Sequence, residues 1–330
     1  MERWGITIPL DGVPLPAHRE VLRDAESRGY TDAWTMEVDG LDGFTPAALA
    51  LSWTEKLRLG TAIANVFTRG PALLAQEAAA VAEVAPDRFV LGVGASSPAI
   101  VEHWNGVELK RPLERVRESV AFLREVFAGE RAKNETLGVR GFRLGRRFGG
   151  APPIFIAALR EKMLQLAGSA GDGVIINWLA PDDVPKVVAV AKEAAQAAGR
   201  DPGALEVVCR IFVIPTENQD VARAIARRAV AGYMTTPVYG PFQTWLGRGE
   251  ALKPMQEAWA AGDRRGATEL VPDEVIDDLF VIGNRNACLE KLEAYVRNGV
   301  TVPVIALMPT ALDPKELAER NIAAVKELAR

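Results

Sequence analysis

The sequence predicts an α/β chain folded as a (β/α)8 barrel with insertions. Three observations carry this expectation. Apolar runs of strand length alternate with segments of helical period eight times, an order that implies parallel strands joined by right-handed crossovers. The 330 residues exceed the roughly 250 of a typical barrel by roughly 80, which leaves room for insertions. Apolar strands of a doubly wound open sheet look the same. Here, however, the repeat runs end to end with no reversal, which favours closure. One domain over residues 1–330 is therefore expected, with insertions near 129–150 and 236–272.

Each unit is readable in order. Trp4–Leu10 (WGITIPL) reads as a strand, followed by an amphipathic helix over Ala17–Arg28 that stops at Gly29. Asp32–Glu37 is the second strand. Its helix, Thr45–Thr54, has Thr45 as the expected N-cap and Pro46 at the first helical position. Leu57–Ala64 leads into the alanine-rich helix Pro71–Val84, and Phe89–Ala95 into Pro112–Phe127. The rhythm then breaks over Gly129–Ala151, rich in Gly and Arg, which reads as an excursion with room for a short hairpin. Pro153–Ala158, Gly173–Asn177 and Val207–Pro215 are the next strands. Their helices are Glu161–Ala170, Pro181–Ala198 and Asp220–Thr235. A second irregular stretch, Thr236–Pro272, carries Tyr239, Phe242, Trp245 and Trp259. Helix Asn284–Arg297, strand Val302–Met308 and helix Asp313–Leu328 close the pattern.

Composition narrows the chemistry. Lys plus Arg number 39 against 43 Asp plus Glu, a net charge of −4, which argues against nucleic acid as the main partner. Uncharged runs are broken well before the roughly 18 residues that cross a bilayer, so no membrane role is expected. The N-terminal MERWGITIPL lacks a basic region followed by an apolar stretch. Cys209 and Cys288 are the only cysteines, far apart and outside any CxxC, which suits a reducing cytoplasm. Only His18 and His103 occur, so a three-histidine metal site is impossible, and no metal is expected. With so few His and Cys, acid–base or redox chemistry has to come from carboxylates, hydroxyls or a borrowed cofactor.

In a barrel of this kind the active site lies at the C-terminal ends of the strands. Those ends are Pro9–Asp11, Glu37–Gly43, Ala62–Arg69, Gly92–Pro98, Ala157–Arg160, Asn177–Ala180 and Pro215–Glu217. The run Gly92–Ser97 (GVGASS) has Ser97 where a dinucleotide fingerprint needs its third glycine, and no acidic residue closes a following strand. It reads either as a ligand-facing loop, with Ser96 and Ser97 offering hydroxyls and amides, or as a structural turn. Ala157–Arg160 ends a strand and opens a helix. Free amides there, with the Arg160 guanidinium, suit a phosphate, unless Arg160 is simply solvated. Glu37, Asp39 and Asp42 end the second strand. No matching acidic cluster elsewhere supports a metal, and Asp42-Gly43 is most simply a turn, so Glu37 is the better acid–base candidate. Asn65, Thr68 and Arg69 carry polarity out of the third strand, with helix capping before Pro71 as the alternative for Thr68. His103 has no visible triad partner, and neither a GxSxG elbow nor a P-loop occurs. The pairs Arg146-Arg147 and Arg264-Arg265 read as greeting an anionic tail or as ordinary solvated charge.

Taken together, WTMEVDGLDGFTPAA, the run from LRLGTAIANVFTRG through GVGASSPAIVEHWNG to RPLERVRE, and PIFIAALREKMLQLAGSAGDGVIINW resemble the luciferase-like monooxygenase superfamily. The likeness is to its deazaflavin-dependent branch, and it covers nearly the whole chain. The resemblance implies a barrel mouth holding coenzyme F420 (an 8-hydroxy-5-deazaflavin), with FMN as the alternative. It implies a non-prolyl cis peptide at Ala62–Ile63 behind the central ring. Glu37, Asn65, Gly94 and Ser96 would border the ring or ribityl chain, and Ala158, Leu159 and Arg160 would receive the cofactor phosphate. Ser97 and Asn177, at strand ends, complete the cofactor-binding candidates, and Glu37 and Asn65 are the catalytic ones. Sugar-phosphate dehydrogenases of this branch carry a His after the second-strand carboxylate and a Glu after the fourth strand. Val38 and Ser97 stand there instead, so glucose-6-phosphate oxidation is not implied. The expected activity is hydride transfer between deazaflavin and an unidentified small organic substrate, in a cytoplasmic homodimer. An FMN-dependent monooxygenase and a non-catalytic flavin-binding barrel are the other readings.

Overall fold

Runs of β-branched and small apolar residues form the staves of a closed barrel in a computed structural model that describes residues 3–146 and 149–330. The eight parallel staves are β1 (Gly5–Ile8), β2 (Asp32–Thr35), β3 (Arg58–Thr61), β4 (Phe89–Gly94), β5 (Ile154–Ala157), β6 (Gly173–Asn177), β7 (Glu206–Ile214) and β8 (Val302–Leu307). Neighbours in the chain are neighbours in the ring, and β8 pairs with β1 (Gly5 beside Val304), so no edge is left open. Every residue of β1 to β4 is buried, as expected of parallel strands covered on both faces.

The helices pack outside: α1 (His18–Ser27), α2 (Phe44–Trp53), α3 (Pro71–Val84), α4 (Pro112–Phe127), α5 (Glu161–Ala170), α6 (Val184–Ala197) and α7 (Gln219–Tyr233) follow β1 to β7. A separate cluster, Trp34, Val90, Phe155, Ile175, Val208, Val302 and Val304, contains no helix residue and fills the lumen. Two glycines make room for it. A Cβ on Gly60 would sit 2.3 Å from the Trp34 ring, and one on Gly92 would sit 1.9 Å from the Thr61 carbonyl oxygen.

The N-terminal end of the barrel is closed by charge. Arg58 donates to Asp32 at 2.7 Å and grips Glu206 through both terminal amines at 2.7 and 2.8 Å, while its guanidinium lies near the Trp34 and Phe155 rings. Asp32 is sealed from solvent, and each of its oxygens is engaged by Arg58 or Arg3. Function is thereby left to the opposite face.

Of the two segments read as irregular, the first meets the sequence expectation of a short hairpin and the second departs from it. The excursion after α4 contains an antiparallel pair, Ala132–Asn134 with Val139–Phe142. Arg147 of the Arg146-Arg147 pair lies outside the described residues; Arg146 pairs with Glu83 on the surface. The stretch Thr236–Pro272 is not irregular. It folds as α8 (Tyr239–Trp245), α9 (Gly249–Ala260) and α10 (Arg264–Glu269), and α11 (Asp273–Leu279) follows. Gly240, Pro241, Gly247, Pro254 and Gly262 cut it into pieces too short to show a sustained period, and Pro254 lies inside α9. A short strand, Phe280–Ile282, then pairs with the C-terminal half of β7, before α12 (Arg285–Arg297), β8 and α13 (Pro314–Glu327). The inserted helices share an apolar core with α7 and the end of β7.

Candidate active site

A cavity of about 1470 Å³ opens at the C-terminal ends of the strands. Its wall takes Glu37 from beyond β2, Ala62 and Ile63 from beyond β3, Ser96 and Ser97 from beyond β4, Ala158 to Arg160 from beyond β5, and Asn177 from the end of β6. These are nine of the residues singled out from sequence. The remaining two, Asn65 and Gly94, stand one layer behind, paired with each other across a short strand extension of Ala64–Asn65.

The back of the cavity is built on a bulge. The Ala62–Ile63 peptide is cis, and the Ile63 side chain fills the space a Cβ on Gly94 would need, 3.1 Å away. Ser96 adopts a left-handed backbone (φ +63°), which turns the chain from β4 across the cavity mouth. Of the Gly92–Ser97 run, Gly92 to Gly94 end β4, and Ser96 and Ser97 line the cavity.

Glu37 is not a free acid. Both carboxylate oxygens receive the terminal amines of Arg69, Oε1 also accepts the Gly43 amide at 2.7 Å, and Oε2 faces the Asn65 amide at 3.5 Å. Arg69 in turn donates through Nε to Glu77 at 2.7 Å and lies over the Phe44 ring. These hydrogen bonds and charges raise the Arg69 pKa against the opposing effect of burial. Glu37 thus ties the ends of β2 and β3 to α3 and shapes the wall. The Asn65 side chain accepts the Phe67 amide at 2.8 Å, and its own amide nitrogen is buried without a partner. It holds the bulge and does not enter the cavity, so the candidate catalytic role from sequence has no support in its placement.

At the β5 end, Arg160 occupies the cap position of α5 in an extended conformation, and no side chain caps the helix. Its first amides face the cavity end where Leu159, Arg160 and Lys162 line the wall. His103 is exposed on the π-helical segment Ala99–Trp104, and His18 is structural: its Nε2 accepts the Leu10 amide at 2.8 Å. Contrary to the expected Thr45 cap, α2 starts at Phe44 with Gly43 at the cap position, and Asp42, in the turn before it, accepts the Phe44 and Thr45 amides. Among the described residues, no group of three or more His, Cys, Asp or Glu is placed to hold a metal. No helix among them is long and apolar enough to cross a membrane.

Sequence reasoning missed the opposite wall. Arg210, in the middle of β7, pairs in register with Asn177 and so stands level with the end of β6. Val208 lies in the lumen cluster, and a strand's two-residue alternation sends Arg210 to the same side. It lines the cavity with Tyr233 and Tyr239, and the Asn177 amide approaches the Tyr239 hydroxyl at 3.4 Å. A lone arginine inside the apolar run VVCRIFVI was the available signal.

A profile described as luciferase-like monooxygenase matches residues 5–302. This chain belongs to the luciferase-like monooxygenase family. Within it, the chain is 31% identical over 307 residues to a 5,10-methylenetetrahydromethanopterin reductase of Archaeoglobus fulgidus, covering 88% of this chain and 89% of that one. Its fold matches that of the coenzyme F420-dependent tetrahydromethanopterin reductase from Methanopyrus kandleri with a TM-score of 0.79, at 22% identity, over 100% and 97% of the two chains. An F420-dependent secondary alcohol dehydrogenase in complex with an F420–acetone adduct superposes with a TM-score of 0.75, at 18% identity, over 100% and 99%.

Proposed function

We propose that this chain is a coenzyme F420-dependent oxidoreductase that transfers a hydride between the deazaflavin and a small organic substrate. The observation that carries the reading is the match between one continuous cavity and two features a phosphorylated tricycle needs. A flat back wall of small and β-branched residues stands at Ala62 and Ile63, and an uncapped helix start with a free guanidinium stands at Arg160. The relatives named above, an F420-dependent reductase and dehydrogenase among them, support deazaflavin over FMN.

Ala62 and Ile63 would back the ring, Ser96, Ser97 and Asn177 would offer it polar contacts, and Ala158, Leu159 and Arg160 would hold the phosphate. When bound, the deazaflavin supplies the carbon that gives or takes the hydride. The protein's share is to orient the ring against the bulge, to exclude water with the apolar rim, and to keep Glu37 locked in its ion pair. Glu37 therefore acts as a positioning residue, and the proton exchanged with substrate comes from elsewhere. The reading carries with it a cytoplasmic homodimer.

Fluorescence titration of the purified protein with F420, and separately with FMN, tests the proposal. Saturable binding of F420, weakened five- to a hundredfold in Arg160→Ala, is expected for a charge-assisted phosphate contact of about 1–3 kcal/mol. Tight binding of FMN with none of F420 would turn the assignment to the monooxygenase side of the family.

A further inference from the structure

The cavity holds a second polar feature, centred on Arg210, that meets the proposed cofactor contacts only at Asn177. No hydrogen bond or ion pair among the described residues engages the Arg210 guanidinium, and its Nε is buried without a partner. Around it are the Phe212 ring, whose centroid lies 5.0 Å from the guanidinium carbon, the phenols of Tyr233 and Tyr239, and the carboxyl of Asp11, which stays beyond ion-pair distance. Burial is the largest influence on Arg210 and lowers its pKa, the opposite of what an ion-paired arginine experiences here, as Arg69 and Arg58 show. Directly beneath, Trp34 Nε1 and Thr7 Oγ1 are also buried without partners, and both line a small cleft that Arg210 roofs.

The Arg210 guanidinium lines the main cavity beside the Tyr233 and Tyr239 phenols and the Asn177 amide, which donates to the Tyr239 oxygen, and no carboxylate among the described residues pairs with the guanidinium there; the Trp34 indole N–H opens on the smaller cleft. Buried donors are ordinarily satisfied, and a partly desolvated cation ordinarily has an anion beside it. The missing partner is therefore an anionic oxygen. The surroundings say what carries it: Val221, Ile225, Ala229, Met308 and Leu312 make the adjoining wall apolar, and Leu312 is almost fully exposed at the rim.

We infer that Arg210, with Tyr239, Tyr233 and Asn177, forms a carboxylate subsite, and that the substrate is an organic acid with an apolar body. This rests on the hydride-transfer reading for the acid's role as substrate, but not for its binding. The same anionic-oxygen chemistry could come from the ring of the bound deazaflavin, so the test separates the two sources.

Cinnamate and its neutral analogue cinnamamide serve as probes, titrated by calorimetry into the protein without cofactor and again with F420 present. Wild type is expected to bind cinnamate at least tenfold more tightly than cinnamamide in both settings. Arg210→Met should bring the two probes to equal affinity while F420 affinity, read by fluorescence, changes less than threefold. Tyr239→Phe, which removes only a hydroxyl, should weaken cinnamate several-fold and leave cinnamamide alone; this arm decides the matter if Arg210→Met does not fold. Equal binding of both probes by wild type overturns the inference, as does a cinnamate preference that survives both variants. A tenfold loss of F420 affinity in Arg210→Met assigns the guanidinium to the cofactor ring and overturns the substrate assignment. Failure of F420 to bind wild type, with cinnamate still preferred, would remove the proposed function and leave the acid subsite standing.

Discussion

Glu37 and Arg210 show what sequence can and cannot say about single residues. A carboxylate at the end of a barrel strand reads as an acid–base group, and Glu37 is at that place and in the cavity wall. Nothing local to it announces Arg69, 32 residues on, whose fork takes both of its oxygens. Arg210 escapes the strand-end rule for the complementary reason, although its place in an apolar run was a signal. The rule that function sits at strand ends inspects Pro215–Glu217, yet β7 is nine residues long and its register with β6 sets Arg210 level with Asn177. Glu37→Gln is accordingly expected to cost about 1.5–3 kcal/mol of stability, because half of a charge-assisted pair is lost. A thermal melt several degrees below wild type, with no limb removed from the pH–rate profile, is the expected result. An unchanged melt with a lost limb would restore Glu37 as the acid–base group.

The elements were legible where their period was long and their ends were punctuated. Each of the eight expected strands is a barrel stave, and α3, α4 and α5 have the bounds read from Pro71–Val84, Pro112–Phe127 and Glu161–Ala170. The inserted helices α8 to α10 were missed because glycine and proline interrupt them and their stability comes from packing on α7. One inter-element joint makes a pH prediction. His18, buried at the start of α1, accepts the Leu10 amide through Nε2, and its Nδ1 faces the Pro14 carbonyl at 3.2 Å. Burial, the largest influence, lowers its pKa from the usual 6.5. The folded state therefore keeps the neutral ring while the unfolded chain takes up a proton. This contribution is complete above pH 6.5 and is lost as pH falls toward the folded pKa, with a slope of up to about 1.4 kcal/mol per pH unit. Denaturant unfolding at pH 7.5 and 5.5 should show that slope reduced in His18→Gln. Identical slopes in the two proteins would show that His18 titrates alike folded and unfolded.

At the scale of the whole molecule, the barrel separates its two ends by chemistry. The N-terminal end is sealed by Arg58, Asp32, Glu206 and Arg3 in mutual ion pairs, the lumen is packed with Trp34 and Phe155, and the C-terminal end keeps the large cavity. Strand-to-helix alternation in the sequence was enough to anticipate that polarity. The cavity's polar floor depends on barrel closure, which brings β2, β6 and β7 together, and no run of neighbouring residues records it. The central claim is that the open end seats a deazaflavin against Ala62 and Ile63 with its phosphate at Arg160. A crystal structure of the protein grown with F420 tests this most directly. The tricycle should lie on the Ala62–Ile63 bulge, with phosphate oxygens within hydrogen-bond reach of the Leu159 and Arg160 amides. Ring density elsewhere on the molecule, or a phosphate that leaves the start of α5 untouched, would contradict it.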